Sequence, residues 1–363
     1  MMPAIRASGG PMYRIFVLVV ALIAACGPAA APSPSSTAVA SAVPTATPAS
    51  APVTVKFGQV GTISDAAIFI ADAKGYFKEQ GIALDLQTFQ SAANMTTPLG
   101  TGELDAGGGA PSAGLYNAIG RGVNIRIVAD KGSLTPGHGY EAVIVRKDLA
   151  DSVKSAKDMK GLKVSIAAQD IVPEYSLDTF LRTGGLTIKD ITLVPLAFPD
   201  MVAALGNKAI DVAVPTEPTA TRILDAGTGV LITRTDVVVP GEQTAVILYS
   251  EKFAKNKDAA VRFMKAYLQG ARFYTDAFDK KDPAKRKEAV EILAKGTKLD
   301  AALIERVVVP GIDPNGAVNA KSLDAAQQYF VTKGTQQKAL DMTTVVDTSF
   351  ADAAVKEIGS YKP

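Results

Sequence analysis

Residues 99–111, LGTGELDAGGGAP, contain three consecutive glycines before a proline, and glycine runs of this kind form phosphate-binding loops in nucleotide-binding proteins. A dinucleotide fingerprint needs glycines at relative positions 1, 3 and 6, and counted from Gly107 the sixth position is Ser112. A P-loop ends in Gly-Lys-Ser/Thr, whereas the corresponding residues of this chain are Gly114, Leu115 and Tyr116. The glycines therefore match neither phosphate signature and need a different explanation.

The composition excludes several other kinds of site. With 363 residues, the chain is long enough for two lobes that each bury a hydrophobic core. Its formal net charge of +2 does not favour nucleic-acid binding. One histidine, His138, and one cysteine, Cys26, cannot form a Cys/His zinc site, and no nucleophile is accompanied by a histidine base. We therefore expect a non-enzymatic protein that uses no metal, no cofactor and no nucleic-acid partner.

The first 52 residues have the pattern of an exported lipoprotein. The apolar run at 15–25 is shorter than the roughly 20 residues that span a bilayer, so it fits a signal peptide over residues 1–25. The tetrapeptide IAAC at 23–26 resembles a bacterial lipobox, which implies cleavage before Cys26 and its lipidation. Residues 26–52 are then a disordered Pro/Ala/Ser/Thr tether, and the protein is anchored outside the cytoplasmic membrane. A conventional signal peptide with an incidental cysteine is the alternative.

Strands and helices alternate from residue 53 onward. The segments VTVKF (53–57) and IALDL (82–86) are apolar at alternate positions, as strands are, and Ser64 or Asp65 can begin a helix that stops at Gly75. This β-α-β order predicts a parallel sheet with helices on its faces. Beyond about residue 241 the sequence predicts helices at 256–278, from Pro283 to Lys295, and from Ser322 to Lys333.

The segment that leads into the glycines occurs twice. Residues 99–106 (LGTGELDA) align with residues 205–212 (LGNKAIDV), and each copy follows a β-α-β pattern. We interpret the repeat as two similar α/β lobes. Ligands of open α/β sheets bind beyond the carboxyl ends of the strands, so Ser112 and Glu217 are expected to face each other across a cleft. The glycines would then let backbone and ligand approach closely.

Four segments resemble the extracytoplasmic substrate-binding proteins of ABC importers, in the subgroup for nitrate, sulfonates, taurine and the pyrimidine precursor of thiamine. They are AAIFIADAKGYFKEQGIALDLQTF (66–89), GELDAGGGAPSA (102–113), DMKGLKVSI (158–166) and VVDTSFADAAVKEIG (345–359). One branch of this family is enzymatic and uses a histidine and a CCCFC motif, and that motif is absent here.

The resemblance implies a two-lobed, periplasmic-binding-protein-like α/β fold of type II, in which each lobe is a mostly parallel sheet with flanking helices. It implies lobe I at residues 53–145, lobe II at 146–242, a return to lobe I with C-terminal helices at 243–363, and hinge crossovers near 141–148 and 241–250. The lobes are expected to close around a small molecule by hinge bending. The closed form of a monomer would then dock on a permease and ATPase complex.

Candidate ligand contacts are residues at the expected strand ends, the helix starts and the first crossover. They are Thr62, Ser64, Asp65, Ala110, Pro111, Ser112 and Tyr140 in or beside the first lobe, and Gln169, Glu174, Tyr175 and Glu217 in the second. Ser64, Asp65 and Ser112 would serve equally well as helix N-caps, and Glu217 with its following proline could simply start a helix.

Charge among these candidates favours a nitrogen heterocycle over an anion. Three candidates are acidic, and the nearest cation, Arg222, lies five residues beyond Glu217. A carboxylate about 4 Å from a bound anion costs about 4 kcal/mol at an effective dielectric of 20, or roughly a thousandfold in affinity. Carboxylates accept N–H groups of a heterocycle, and Tyr140 or Tyr175 can stack on its ring. We therefore expect a thiamine-type pyrimidine or a flavin. The alternatives are an alkylsulfonate, taurine or nitrate, or a ligand-sensing lipoprotein without transport.

Overall fold

A computed structural model describes residues 52–362, so the predicted signal peptide, Cys26 and nearly all of the predicted tether lie outside the described residues. Within residues 52–362, ten strands form two five-stranded sheets. The strands are β1 (Val53–Gln59), β2 (Ile82–Thr88), β3 (Ala106–Gly109), β4 (Arg126–Ser133), β5 (Ala142–Arg146), β6 (Lys163–Ile166), β7 (Thr192–Pro195), β8 (Val212–Ala213), β9 (Gly229–Arg234) and β10 (Gln243–Tyr249).

The two sheets share one strand arrangement. The first lobe has the order β2-β1-β3-β10-β4 and the second has β7-β6-β8-β5-β9. In each sheet the first three strands run parallel, and the fourth is antiparallel to both of its neighbours. The predicted α/β class, with two lobes built on mostly parallel sheets, is confirmed.

Helices cover the sheets, and most of the C-terminal ones pack on the first lobe. They are α1 (Ala66–Ala73), α2 (Tyr76–Glu79), α3 (Thr96–Thr101), α4 (Ala113–Gly120), α5 (Val172–Thr183), α6 (Phe198–Gly206), α7 (Thr219–Asp225), α8 (Glu251–Lys255), α9 (Lys257–Phe278), α10 (Pro283–Thr297), α11 (Ala301–Ile304), α12 (Ala320–Lys333), α13 (Met342–Val345) and α14 (Ser349–Ile358). Within residues 52–362, no helix combines the length and the apolar composition needed to cross a membrane.

The three long helices predicted after residue 241 are present as α9, α10 and α12. Helix α12 begins earlier than expected, because its N-cap is Asn319 and not Ser322. The Asn319 Oδ1 accepts the backbone N–H of Ser322 at 3.1 Å, which places Ser322 inside the first turn.

The chain passes between the lobes at residues 134–141 and 235–242, earlier than the predicted crossovers at 141–148 and 241–250. The apolar strands β5 and β10 enter their sheets directly after each crossing, so the polar residues that follow β5 mark a strand end and not a lobe boundary. The two crossover segments lie side by side. Leu134 N–H donates to the Glu242 carbonyl at 2.8 Å, and Thr235 N–H donates to the Glu141 carbonyl at 3.2 Å.

The sequence repeat marks the same structural corner in both lobes. The Asp105 Oδ2 accepts the backbone N–H of Lys56 at 3.0 Å, and the Asp211 Oδ2 accepts that of Lys163 at 2.9 Å. Both lysines lie on the neighbouring parallel strand, β1 or β6. The repeated aspartate therefore joins the start of the third strand in each sheet order, β3 or β8, to the second strand, β1 or β6.

The glycine run forms β3, between β1 and β10 in the first sheet, where all four residues are buried. A Cβ atom on Gly108 would lie 2.5 Å from Lys131 Cδ, and one on Gly107 would lie 3.1 Å from Met95 Sδ. These distances are shorter than carbon contacts in packed interiors. The glycines therefore make room for neighbouring side chains, and Gly108 in particular makes room for Lys131.

We expect Gly108→Ala to destabilise the protein by about 1–3 kcal/mol, because the new methyl group must displace the buried Lys131 side chain. Urea denaturation measures the change. Gly114→Ala is the matched control, because its Cβ would meet nothing closer than Ser112 Oγ at 3.7 Å and Ala is a better helix former. Equal stability of the two variants would contradict the packing role of Gly108.

Candidate functional site

The lobes close around a narrow cavity of about 40 Å³ at the carboxyl ends of the central strands. Its polar lining residues come from both lobes and from the crossovers: Thr62, Ser64, Ser91, Tyr140, Glu141, Thr216 and Thr244. Backbone hydrogen bonds join the lobes around it, from Ile63 N–H to the Glu217 carbonyl at 3.1 Å and from Val172 N–H to the Pro111 carbonyl at 3.1 Å. The structure therefore shows a closed conformation.

Four of the eleven predicted contact residues border this cavity, namely Thr62, Ser64, Ala110 and Tyr140. The other seven, which are Asp65, Pro111, Ser112, Gln169, Glu174, Tyr175 and Glu217, occupy other positions around the cleft. Ser112 caps α4, since its Oγ accepts the N–H of Leu115 at 3.1 Å. Gln169 is exposed and borders an outer groove beside Ser112.

A fully buried ion pair lies beneath the first-lobe side of the cavity. The Nζ of Lys131, on β4, lies 2.8 Å from Asp65 Oδ1, and both side chains are 0% exposed. The Asp65 Oδ2 also accepts the backbone N–H groups of Gly61 and Thr62, at 2.8 and 3.0 Å. The carboxylate thus shapes the loop after β1, while the ammonium compensates its charge.

The charge of Lys131 reaches the cavity through hydroxyl groups. Its Nζ donates to Ser64 Oγ at 2.9 Å, and Ser64 Oγ lies 3.0 Å from Thr62 Oγ1. Since Ser64 Oγ accepts a hydrogen bond from an ammonium group, its own hydroxyl can donate to Thr62, which leaves the Thr62 hydroxyl to donate into the cavity.

The hydroxyl of Tyr140 is already used within the protein. Thr244 Oγ1 donates to the Gly132 carbonyl at 3.1 Å, so Tyr140 donates its proton to Thr244 at 2.6 Å. Tyr140 therefore offers the cavity its ring and an acceptor lone pair. The Tyr140 hydroxyl thus donates its proton within the protein, whereas the Thr62 hydroxyl donates into the cavity.

Glu217 is paired with a cation that the sequence analysis did not place beside it. Arg234 Nη2, at the end of β9, lies 3.1 Å from Glu217 Oε1, and Arg234 Nη1 donates to the Gly139 carbonyl at 2.8 Å. The Glu217 Oε2 accepts the N–H of Thr221 at 2.9 Å and so caps the start of α7. Glu217 therefore ties the second lobe to the first crossover.

Glu174 belongs to a latch between the lobes, which we define as Asp170, Glu174, Tyr329 and Lys333. Lys333 Nζ, on α12 of the first lobe, contacts Glu174 Oε1 and lies 2.7 Å from Asp170 Oδ1. The Tyr329 hydroxyl donates to Glu174 Oε1 at 2.8 Å. Tyr175 packs its ring on Tyr329 with centroids 5.8 Å apart. These contacts hold α5 of the second lobe against α12.

These pairings overturn the electrostatic preference for a heterocycle. That preference rested on carboxylates without nearby cations, whereas the structure pairs Asp65 with Lys131, Glu217 with Arg234, and Glu174 with Lys333. The sequence did not indicate these ion pairs, because each cation is distant in sequence from its carboxylate. One signal was available for Lys131, since a charged Asp-Lys pair interrupts an otherwise apolar strand in RIVADKGS.

Two buried carboxyl groups lie at the ends of the two crossovers. Burial raises the pKa of Glu141 to about 8, and burial raises the pKa of Glu242 well above its ordinary value. Glu141 borders the cavity, whereas Ser176 Oγ donates to Glu242 Oε2 away from it.

The lone histidine, His138, lies on the first crossover, where its Nδ1 is 3.1 Å from the Val309 carbonyl. Among residues 52–362, no cluster of three or more His, Cys, Asp or Glu side chains is placed to hold a metal ion.

The fold matches that of periplasmic binding proteins. The alkanesulfonate-binding protein SsuA of Xanthomonas axonopodis pv. citri, solved with MOPS, has a TM-score of 0.64, 17% identity, and coverage of 82% of this chain and 98% of its own. The nitrate-binding protein NrtA of Synechocystis PCC 6803 has a TM-score of 0.71, 13% identity, and coverage of 85% and 89%. The desulfurization enzyme DszB shares the fold at a TM-score of 0.58, with 16% identity and coverage of 84% and 99%. At these identities the likeness shows the fold alone.

Residues 48–294 match the NMT1-like family, and the chain belongs to that family. A protein of Brachyspira hyodysenteriae named as an ABC transporter periplasmic binding protein is 24% identical over 203 residues. That match spans 53% of this chain and 57% of the relative, a little over half of each. The resemblance inferred from the four sequence segments is confirmed.

We expect Lys131→Met to destabilise the protein by about 3–5 kcal/mol, because it leaves the buried Asp65 carboxylate without its cation. The double variant Asp65→Asn/Lys131→Met should regain most of this loss, since it removes both charges together. Urea denaturation of Lys131→Met, Asp65→Asn, the double variant and the parent measures the coupling between the two charges. If the double variant is no more stable than the single one, the pair does not act as argued.

We expect Lys333→Met to shift the lobes toward an open conformation. Glu174 is fully buried in the closed form and loses its cation there, whereas lobe opening would let water solvate its carboxylate. An increased radius of gyration in X-ray scattering would report the shift. Lys321→Met is the matched control on the same helix, because Lys321 is exposed and forms no ion pair among the described residues. An unchanged radius in both variants would contradict the role of the latch.

Proposed function

We propose that the protein is the solute-binding component of an ABC importer and that it captures a small oxyanion, of the alkanesulfonate or nitrate class, between its lobes. The observation that carries this proposal is the hydrogen bond from the buried Lys131 ammonium to Ser64, at the wall of the cavity. A cation that is linked to the cavity by hydroxyl groups favours a ligand that accepts hydrogen bonds.

The balance of donors and acceptors supports an oxyanion. Thr62 and Thr216 bring hydroxyl groups to the cavity, and Thr216 Oγ1 has no hydrogen-bond partner among the described residues. The carboxylates of Asp65 and Glu217 lie outside the lining and are paired with cations. Oxyanions such as nitrate and sulfonate only accept hydrogen bonds, and hydroxyl donors satisfy that need without net charge.

The size of the closed cavity supports the same ligand class. A volume of about 40 Å³ accommodates roughly three water molecules, by the usual allowance of about 10–15 Å³ for each. A nitrate ion or a sulfonate head group is of this size. A flavin would hold the lobes apart and break the Ile63–Glu217 backbone hydrogen bond. The names of the similar binding proteins also favour sulfonate or nitrate over a thiamine precursor or flavin.

The proposed location and partners follow from the family and from the N-terminal residues. The name of the relative, an ABC transporter periplasmic binding protein, supports a location of this protein outside the cytoplasmic membrane. It also supports a permease and an ATPase as partners. The lipobox-like residues 23–26 support anchoring through a lipid on Cys26.

We expect nitrate or a short alkanesulfonate to raise the melting temperature of residues 53–363, while the thiamine pyrimidine precursor and riboflavin have no effect. A ligand at a hundred times its Kd adds about 2.7 kcal/mol of stability, so a cognate compound stands out in a thermal-shift screen. Stabilisation by a heterocycle alone would contradict the proposed ligand class.

Thr62→Val is expected to weaken binding of the same anion at least tenfold in calorimetry, because it removes the hydroxyl linked to Lys131 while keeping the side-chain shape. Thr297→Val is the matched control, since the Thr297 hydroxyl donates to the Leu293 carbonyl within α10, away from the cleft. Equal affinities for both variants would place the anion elsewhere.

A further inference from the structure

We propose that Glu141 is a specificity-determining residue of the cavity, which binds the anion in its protonated form and thereby couples ligand capture to uptake of a proton. This inference rests on the proposed function of the cavity as an oxyanion site. It adds a residue at the hinge that neither the sequence nor the comparisons assign.

The position of Glu141 supports a role in binding more than a role in packing. It is the last residue of the first crossover, it borders the cavity, and only 2% of its surface is exposed. Its Oε2 has no hydrogen-bond partner among the described residues, although a buried carboxyl oxygen left without one costs free energy. A group that the fold leaves unsatisfied at the wall of a cavity is available to a ligand.

Thr216 faces Glu141 from the second lobe and has the same property. The two residues are an antiparallel bridge pair, so their side chains project from the same face. Both border the cavity, and the Thr216 Oγ1 is also without a partner. Together with Thr62, which lines the same cavity, they present three oxygen-bound protons to one small space.

The surroundings of Glu141 keep its carboxyl group neutral near pH 7. Burial raises its pKa to about 8, and the neighbouring Glu242 carboxyl and Tyr140 phenol supply no positive charge to reverse this. Two cations near the cleft are already paired with other carboxylates, Lys131 with Asp65 and Arg234 with Glu217. A neutral carboxyl group can donate a hydrogen bond to an anion, whereas an ionised one repels it.

The proton balance gives the sign of the pH dependence. In the closed conformation below about pH 8, Glu141 already holds its proton, so that conformation binds the anion without proton exchange. Above that pH, one proton must come from the buffer for each anion bound, because the anion stabilises the protonated carboxyl group. Affinity should then fall by up to about tenfold for each further pH unit. The proton remains on Glu141 because nitrate and sulfonates are the conjugate bases of strong acids and are therefore very weak bases.

Calorimetry with nitrate and with methanesulfonate, between pH 6 and 9.5, tests the proposal. Titrations at pH 9 in two buffers of different ionisation enthalpy should show close to one proton taken up per anion. Glu141→Gln should bind at pH 7 within a few-fold of the parent, because the amide still donates, and its affinity should not change with pH. Glu242→Gln is the matched control, because this carboxyl is also buried at a crossover but lies outside the cavity lining, so its pH dependence should persist.

The outcomes separate this inference from the proposed function. Binding of either anion by the parent protein with no proton uptake at pH 9 would overturn the role of Glu141 and leave the anion site intact. Loss of the pH dependence in Glu242→Gln instead of Glu141→Gln would assign the proton to the other crossover. If the parent binds neither anion at any pH, the proposed ligand class fails and this inference fails with it.

Discussion

The buried pair of Lys131 and Asp65 is the interaction on which the first-lobe side of the cleft depends. An ammonium and a carboxylate without solvent contact are tolerated only when each compensates the other and hydrogen bonds satisfy the remaining valences. Asp65 meets this need by accepting two backbone N–H groups, which shapes the loop after β1. Lys131 meets it by donating to Ser64, and Gly108 provides the space through which its side chain passes. The shape of the loop, the direction of its hydroxyl groups and the glycine in β3 therefore follow from one pair of charges.

The second lobe solves a similar problem with a different result. Arg234 comes from β9, which occupies the same edge position as β4 in the equivalent sheet, and it too compensates a buried carboxylate near the cleft, Glu217. Its second nitrogen bonds to the carbonyl of Gly139 on the first crossover and not to a hydroxyl group at the cavity. The charge of the first lobe is thus directed toward the cavity, whereas that of the second is directed toward the hinge. Two lobes with the same strand order consequently contribute unequally to the site.

The sequence predicted the architecture well because that architecture depends on local patterns. Alternating apolar residues identified β1 and β2, and the repeat at residues 99–106 and 205–212 identified the equivalent corners in which Asp105 and Asp211 accept the same backbone bond. The site was predicted only in part, because its electrostatics depend on contacts between distant residues. Lys131 lies 67 positions from Ser64, and Lys333 lies 159 positions from Glu174. A list of local candidates therefore contains the acids without their counter-ions, and it reverses the inferred charge preference of the cleft.

The hinge and the cavity share a residue in this protein, because Glu141 ends the first crossover and also borders the cavity. The two crossovers lie side by side through hydrogen bonds between Leu134 and Glu242 and between Thr235 and Glu141. Each crossover ends in a buried glutamate, and only Glu141 borders the cavity. Opening of the lobes must change the backbone around residues 134–141, so it changes the solvation of the Glu141 carboxyl group as well. In the closed form that carboxyl group is desolvated and stays protonated, while in an open form water favours its ionised state. Closure, protonation of Glu141 and capture of an acceptor-only ligand are therefore thermodynamically linked, and each favours the other two.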